Sequence, residues 1–207
     1  IDPNMLAETF GLDQTRYFLM REVPFGNDGD FSQQAMIHRM NGDLANDLGN
    51  LSQRVLSMIF KNCDGVMPAL PATPTDDDRA MLDAADALLP AVRDALEKQA
   101  FHEALHLIWQ VVADANRYVD ATAPWSLKKT DLKRMEEVLA LLAECIRQVA
   151  IMVQPFMPQA TELMLDQLGV AADSRDFIAL GGTVRLSSGH IIDKPVPVFP
   201  RYVAEGG

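Results

Sequence analysis

The feature that most constrains the fold is an apolar stripe, Phe31, Ala35, Met40, Leu44, Leu48, Leu51, Val55 and Met58, that recurs about every three or four positions. A series with that period lies along one face of a helix and not of a strand. It predicts one long helix from Phe31 to about Phe60, which must bury its apolar face against other helices and so acts as the spine of a bundle. β-branched residues are sparse beside Ala, Leu and Met, and long stretches carry neither Gly nor Pro, which favours helix over strand throughout. The chain therefore reads as all-α, an antiparallel α-helix bundle.

The remaining segments arrange themselves around that spine. Residues 4–23 predict one or two short helices broken at Gly11, with Tyr17, Phe18 and Leu19 as an apolar cluster, and the run Pro-Phe-Gly-Asn-Asp-Gly-Asp at 24–30 interrupts them. A proline-rich loop at 67–74 ends at Thr75, the expected N-cap of a helix whose solvated first turn, Asp76 to Asp78, favours the positive end of the helix dipole. Further helices are expected over about 75–98, 100–123, 131–153 and 156–168, with connections short enough for antiparallel neighbours. After Gly169, Thr-Val-Arg-Leu at 183–186 and Pro-Val-Pro-Val-Phe-Pro at 195–200 lose the helical period. This tail is expected to be extended, with a short strand pair, and its prolines exclude a central strand. It would lie along another surface, such as that of a part of the protein outside this sequence. The chain thus divides into a short N-terminal segment (1–30), the bundle (31–168) and an extended C-terminal segment (169–207).

Several function classes are excluded early. No apolar run approaches the ~20 residues that span a bilayer, and Ile-Asp-Pro-Asn-Met at the start lacks a signal pattern, so a soluble, cytoplasmic protein with no membrane partner is expected. The start at isoleucine, with residues 1–30 reading like mid-chain, suggests a fragment of a longer protein. A net charge of −11 argues against a general DNA or RNA binder, which needs a basic face to displace phosphate counterions. Cys63 and Cys145 are far apart and form no Cys-x-x-Cys pair, so they read as ordinary thiols.

His102-Glu-Ala-Leu-His106 fits the His-Glu-x-x-His pattern, but zinc hydrolysis needs a third ligand and neither His38 nor His190 lies in a segment with a local signature for one. Asn27 to Asp30 only faintly resembles a calcium loop and reads as a turn. No glycine-rich phosphate loop or nucleophile elbow is present. No catalytic residue, metal site or cofactor site is assigned to this segment.

Two stretches carry candidate binding residues. Asn50 and Arg54 stand four apart and share a helix face, where they form either a solvated edge with Arg54 paired to a carboxylate or a donor pair for a flat polar ligand. Gly49, just before them, weakens the helix by about 1 kcal/mol relative to Ala and suggests close packing there. Farther on, Ile108, Val112, Ala115 and Val119 keep helical spacing until Pro124, which pushes Ala123 out of the α region and ends the helix. Trp125 is then held at a corner, either buried in the bundle or offered to a flat partner. Asn116 and Asp120 precede it at four-residue spacing, a polar ladder that suits recognition of an unstacked base.

Together, Arg16-Tyr-Phe-Leu-Met-Arg-Glu, Pro24-Phe-Gly-Asn-Asp-Gly-Asp-Phe-Ser32, Asn46-Asp-Leu-Gly-Asn-Leu-Ser-Gln-Arg54 and Asn116-Arg-Tyr-Val-Asp-Ala-Thr-Ala-Pro-Trp125 resemble the C-terminal portion of the bacterial methionyl-tRNA synthetase family, collinearly from residue 1 to Phe199-Pro-Arg201. The Lys-Met-Ser-Lys-Ser and His-Ile-Gly-His signatures of that family's catalytic domain are absent from this sequence. The resemblance implies a stem-contact segment at 1–30, an anticodon-binding bundle and a tail returning toward the catalytic domain. It implies a parent enzyme that uses ATP and magnesium, outside this segment, to join methionine to its tRNA. The partners implied are the anticodon loop of the methionine tRNA and the protein's own catalytic domain. Carried over by motif, Asn50 and Arg54 hydrogen-bond anticodon bases, Trp125 stacks on the first of them, Pro124 fixes the tryptophan, and Asn116 and Asp120 line the same surface, with Asp120 rejecting misplaced acceptors. The readings that compete are the bundle of a related class I synthetase for leucine, isoleucine, valine or cysteine, a zinc hydrolase using His102, Glu103 and His106, and a helical adaptor.

Overall fold

The computed structural model describes residues 2–23 and 31–203. The predicted interruption at 24–30 and the turn at Asn27 to Asp30 lie outside the described residues. Chain order runs through α1 (Pro3–Phe10), α2 (Leu12–Glu22), α3 (Gln33–Arg39), a π-helical segment (Met40–Gly49), α4 (Asn50–Asn62), α5 (Asp76–Asp86), α6 (Leu88–Glu97), α7 (Phe101–Thr122), α8 (Pro124–Thr130), α9 (Leu132–Val153) and α10 (Pro158–Gln167), followed by two single 3₁₀ turns. Among the described residues there is no strand. The strand pair expected within the tail does not form; the one antiparallel bridge among the described residues joins Ile191 of the tail to Val66.

Helix α9 is the axis of the bundle. Every residue from Val138 to Val153 is buried, because α4, α5, α7, α8 and α10 all pack on it. A helix buried all round must satisfy any polar side chain it carries. Glu144 and Arg147 do so with one another and with Gln148, whose own Oε1 stays unpaired: Arg147 donates to both Glu144 oxygens at 2.9 and 2.8 Å, and Gln148 Nε2 to Glu144 at 3.0 Å. They also recruit the tail, since Arg147 donates to the carbonyls of Ala179 and Val184, and Glu144 accepts from Leu186 N–H and Arg185.

The tail packs on the bundle itself. Leu180, Ile192 and Phe199 are buried in the bundle's own core, while Ile178, Ile191 and Val196 stay exposed. Its last described turn meets the N-terminal segment, with Tyr202 against Phe10 at a ring separation of 5.1 Å. Helices α1 and α2 are fastened to the bundle as well: Arg16 donates to the carbonyls of Phe156 and Pro155, and Tyr17 to Asp43. Tyr17 and Phe18 are buried but Leu19 is exposed, because α2, unlike α9, is not covered all round and successive helical residues point in different directions.

Three local departures from the expected helices matter for the site. The long spine exists, but ten of its residues are wound as π-helix. The helix expected at 75–98 breaks at Ala87, where Pro90 lacks the N–H that would bond four residues back and its ring crowds that carbonyl. Finally, Asp78 is not part of a solvated helix start. It is fully buried, closes a capping box with Thr75, and accepts from both guanidinium ends of Arg134 at 2.8 and 2.7 Å and from Tyr118 Oη at 2.5 Å.

Candidate nucleic-acid interface

Helix α7 ends at Thr122 and Ala123 leaves the right-handed α region, as expected before a proline, by taking a left-handed conformation (φ 45°, ψ 60°). A non-glycine residue there is strained by about 1–2 kcal/mol. The strain makes a sharp corner: Ala123 N–H still bonds to Val119 O, and the Ala123 carbonyl accepts from Ser126 and Leu127 N–H to start α8 at once. Pro124 is both the stop for α7 and the first residue of α8, where its missing N–H has no partner to lose. Pro124 is buried beneath the corner, so it cannot itself touch a ligand, and its contribution is to fix its neighbour. Trp125 beside it is 45% exposed.

The structure brings two chain-distant helices together at this corner. Arg54 of α4 donates from Nη2 to Asp120 Oδ1 of α7 at 3.0 Å, with the Asp120 side chain 66% exposed. The same guanidinium carbon lies 5.4 Å from the centroid of the Trp125 ring. Arg54, Asp120 and Trp125 thus form one constellation at the surface. Asn50, one turn before Arg54, is exposed, and among the described residues nothing hydrogen-bonds its amide.

Asn116 is placed differently. Its amide nitrogen donates to Val112 O at 3.1 Å within α7 and to Asp47 O of the π-helical segment at 3.4 Å. It braces one helix against the other and leaves only its oxygen free. Gly49 shows the close packing its sequence suggested, with the π segment's own backbone and the tail as partners: a Cβ there would stand 2.8 Å from Leu44 O and 3.3 Å from Phe199 Cβ.

Sequence reasoning missed α8, and with it Lys128 and Lys129, one turn past Trp125 on the same short helix. A proline read only as a helix stop hides the helix it opens. It also missed Asp47, exposed beside the site, whose carboxyl is pushed up by partial desolvation and by the nearby charge of Asp43. What the constellation offers is a flat π face with a planar donor fork 5.4 Å from its centre, and a free side-chain amide one helical turn from that fork. Those groups suit a planar heterocycle with acceptor edges.

A family profile described as the anticodon binding domain of methionyl tRNA ligase matches residues 68–205. The chain belongs to that family. A second profile, described as tRNA synthetases class I (M), matches residues 1–56. The stretch between the two profiles includes the end of α4, and Arg54 and Trp125 fall under different profiles although the fold brings them together. The methionine–tRNA ligase of Brucella suis biovar 1 (strain 1330) is 55% identical over 203 residues, which are 98% of this chain and 39% of that protein. The methionine–tRNA ligase of Mycobacterium tuberculosis (strain ATCC 25618 / H37Rv) is 47% identical over 206 residues, again with 39% of its length covered. The crystal structure of apo (free-state) Mycobacterium tuberculosis methionyl-tRNA synthetase superposes with a TM-score of 0.94 at 46% identity, covering 99% of this chain and 41% of that one. The methionyl-adenylate-bound form superposes with a TM-score of 0.93. The chain thus spans about two-fifths of the length of the relatives it matches.

Membership of the methionyl-tRNA ligase family displaces the other readings of the bundle, as another synthetase, an adaptor or a hydrolase. His102 and His106 also lack the surroundings of a zinc site. His106 Nε2 pairs with Gln110, His102 Nε2 lies 3.9 Å from Glu103, and among the described residues no group of three or more His, Cys, Asp or Glu side chains could hold a metal ion. Among the described residues no helix is long and apolar enough to cross a membrane.

Proposed function

We propose that this chain is the anticodon-reading part of a cytoplasmic methionine–tRNA ligase, and that the Arg54–Asp120–Trp125 constellation with Asn50 is its base-reading surface. One observation carries the reading: a half-exposed tryptophan on a strained corner, with an arginine from another helix set over its ring at 5.4 Å. An apolar ring of that size left in water is poorly explained by packing and well explained by a partner that stacks on it.

In the free chain Arg54 covers part of the ring and is held by Asp120. An arriving base takes the ring as its stacking platform, while Arg54 and Asn50 turn their donors toward the base edges. Asp120 keeps Arg54 oriented while the site is empty and repels phosphates or acceptor-rich edges that arrive in the wrong place. Lys128 and Lys129 lie where the flanking phosphates of a stacked nucleotide would run. Recognition built this way works on a chain with net charge −11, because stacking and edge hydrogen bonds need no broad basic face.

ATP and magnesium, which supply the activation of methionine, belong to the catalytic part of the parent enzyme.

Titrating the chain with an RNA stem-loop that carries the methionine anticodon CAU tests the reading. Trp125→Ala is expected to lose ~1–3 kcal/mol of stacking, roughly 5- to 150-fold in affinity, with an unchanged circular dichroism spectrum. Equal affinity for wild type and variant sinks it.

A further inference from the structure

The helix that carries Asn50 and Arg54 is not set in place by its own hydrogen bonding. From Met40 to Gly49 it is wound as π-helix, and Asn50 N–H still reaches back five residues to Ala45 O. A π run of this length is unusual, since π-helix mostly occurs as single turns. Whether the run keeps its extra width decides the rotation of everything after it, so the direction of Asn50 and Arg54 is a tertiary property. Three sets of contacts hold the segment, the first being Tyr17 Oη of α2 on Asp43 Oδ2 at 2.7 Å. On one side α7 supplies Trp109 Nε1 to Asp43 O at 3.2 Å and Asn116 Nδ2 to Asp47 O at 3.4 Å.

On the other side lies the C-terminal strap, residues 195–202. Asn41, at the start of the π segment, exchanges two hydrogen bonds with the Tyr202 backbone, at 3.0 and 2.8 Å. At its end Gly49 gives Phe199 room to lie directly on the helix backbone, and Phe199 is buried. One turn farther, Gln53 donates to Pro195 O at 3.4 Å, next to Arg54 in sequence.

We propose that the strap is a positioning element for anticodon recognition: Phe199 seated on Gly49 fixes the π-to-α junction in the register that turns Asn50 and Arg54 toward Trp125. The proposal rests on the base-reading role of those residues given above. Phe199 touches no RNA in this scheme and acts only through the helix it presses on.

The test is a double-mutant cycle read by binding of the whole chain to the CAU stem-loop. Phe199→Ala, kept at a temperature where circular dichroism shows it folded, is expected to weaken binding at least 5-fold. The same change made in an Asn50→Ala/Arg54→Ala background is expected to have no further effect. Phe199→Leu, which refills the seat, should recover most of the affinity. If Phe199→Ala does not fold, Asn41→Ala takes its place, because it cuts both hydrogen bonds between the strap and the π segment while keeping every core side chain. Unchanged binding by a folded variant, or an equal loss in both backgrounds, overturns the positioning role while leaving the base-reading site intact. If Asn50→Ala/Arg54→Ala alone leaves binding unchanged, the reading of the site fails and the positioning role falls with it.

Discussion

Two places in this molecule use the same three side-chain types, an arginine, an aspartate and an aromatic ring, in opposite settings. Asp78, Arg134 and Tyr118 form a closed hub in which the carboxylate is fully buried and every oxygen is bonded. Arg54, Asp120 and Trp125 form an open set in which the carboxylate is mostly exposed, joined by one hydrogen bond, and the ring faces solvent. Burial turns the first into a fixed structural joint, since a charge in a dry environment must keep all its partners. Exposure leaves the second exchangeable, because water can take the place of each partner at little loss. One surface of the bundle is therefore held firmly next to a surface whose contacts can be traded for a ligand.

The sharpest way to break that contrast is to delete the arginine from each set. Arg134→Ala leaves Asp78 buried without its bidentate partner and is expected to destabilise the chain by about 3–5 kcal/mol in denaturant unfolding. Arg54→Ala should shift the same transition by less than about 1 kcal/mol, while weakening CAU stem-loop binding at least 10-fold. Comparable losses of stability in the two variants would erase the distinction.

The pH dependence of stability sharpens the hub side. Burial pushes the Asp78 carboxyl up, but hydrogen bonds from Arg134, Tyr118 and the Thr75 N–H outweigh it and hold the group well below the ordinary carboxylate range. A carboxylate depressed on folding adds stability that is complete above its unfolded value, about 3.9, and is lost as pH falls through its folded value. Asp78→Asn is thus expected to be less stable than wild type at pH 7 and to close the gap progressively below about pH 4. Parallel unfolding curves from pH 7 to pH 2 would show that Asp78 contributes by shape and not by charge.

How much of this was legible in sequence follows the same division. The α4, α7, α9 and α10 helices announced themselves because burial against neighbours selects apolar residues at helical period, and Ile108, Val112, Ala115 and Val119 are all buried as their spacing required. Thr75 was legible as a cap because capping is local chemistry. The Asp78 hub was not, since its partners Tyr118 and Arg134 come from other helices and a run of three aspartates looks the same wet or dry. The π segment left a trace that is easy to pass over: the stripe steps by five, four and four residues through Ala35, Met40, Leu44 and Leu48, then by three, four and three through Leu51, Val55 and Met58. The pairing of Arg54 with Trp125 was anticipated through family resemblance. Nothing in spacing alone could join residues on helices so far apart in the chain. Asn116 and Pro124 kept their places at the site, but one braces a backbone and the other underlies the corner, which only coordinates could separate from direct contact.

The smallest effect tests the open set most directly. Replacing Asp120 by asparagine removes the charge that holds Arg54 and leaves the shape of the side chain. An exposed pair of this kind is worth ~0.2–1 kcal/mol, so the unfolding midpoint should hardly move. Salt should mimic the substitution, since at 1 M ionic strength the screening length falls to about 3 Å, the separation of the pair itself. Binding should respond in the other direction. If Asp120 only stores Arg54 between encounters, Asp120→Asn is expected to tighten the CAU stem-loop by a few-fold, because Arg54 no longer gives up a partner to reach the base. If Asp120 also rejects, the same variant should tighten a stem-loop with a changed anticodon by more than it tightens CAU. The ratio of the two gains, measured at low and high salt, separates holding from rejection: holding is a contact between two side chains and moves both RNAs alike, whereas rejection depends on what the RNA presents to the carboxylate.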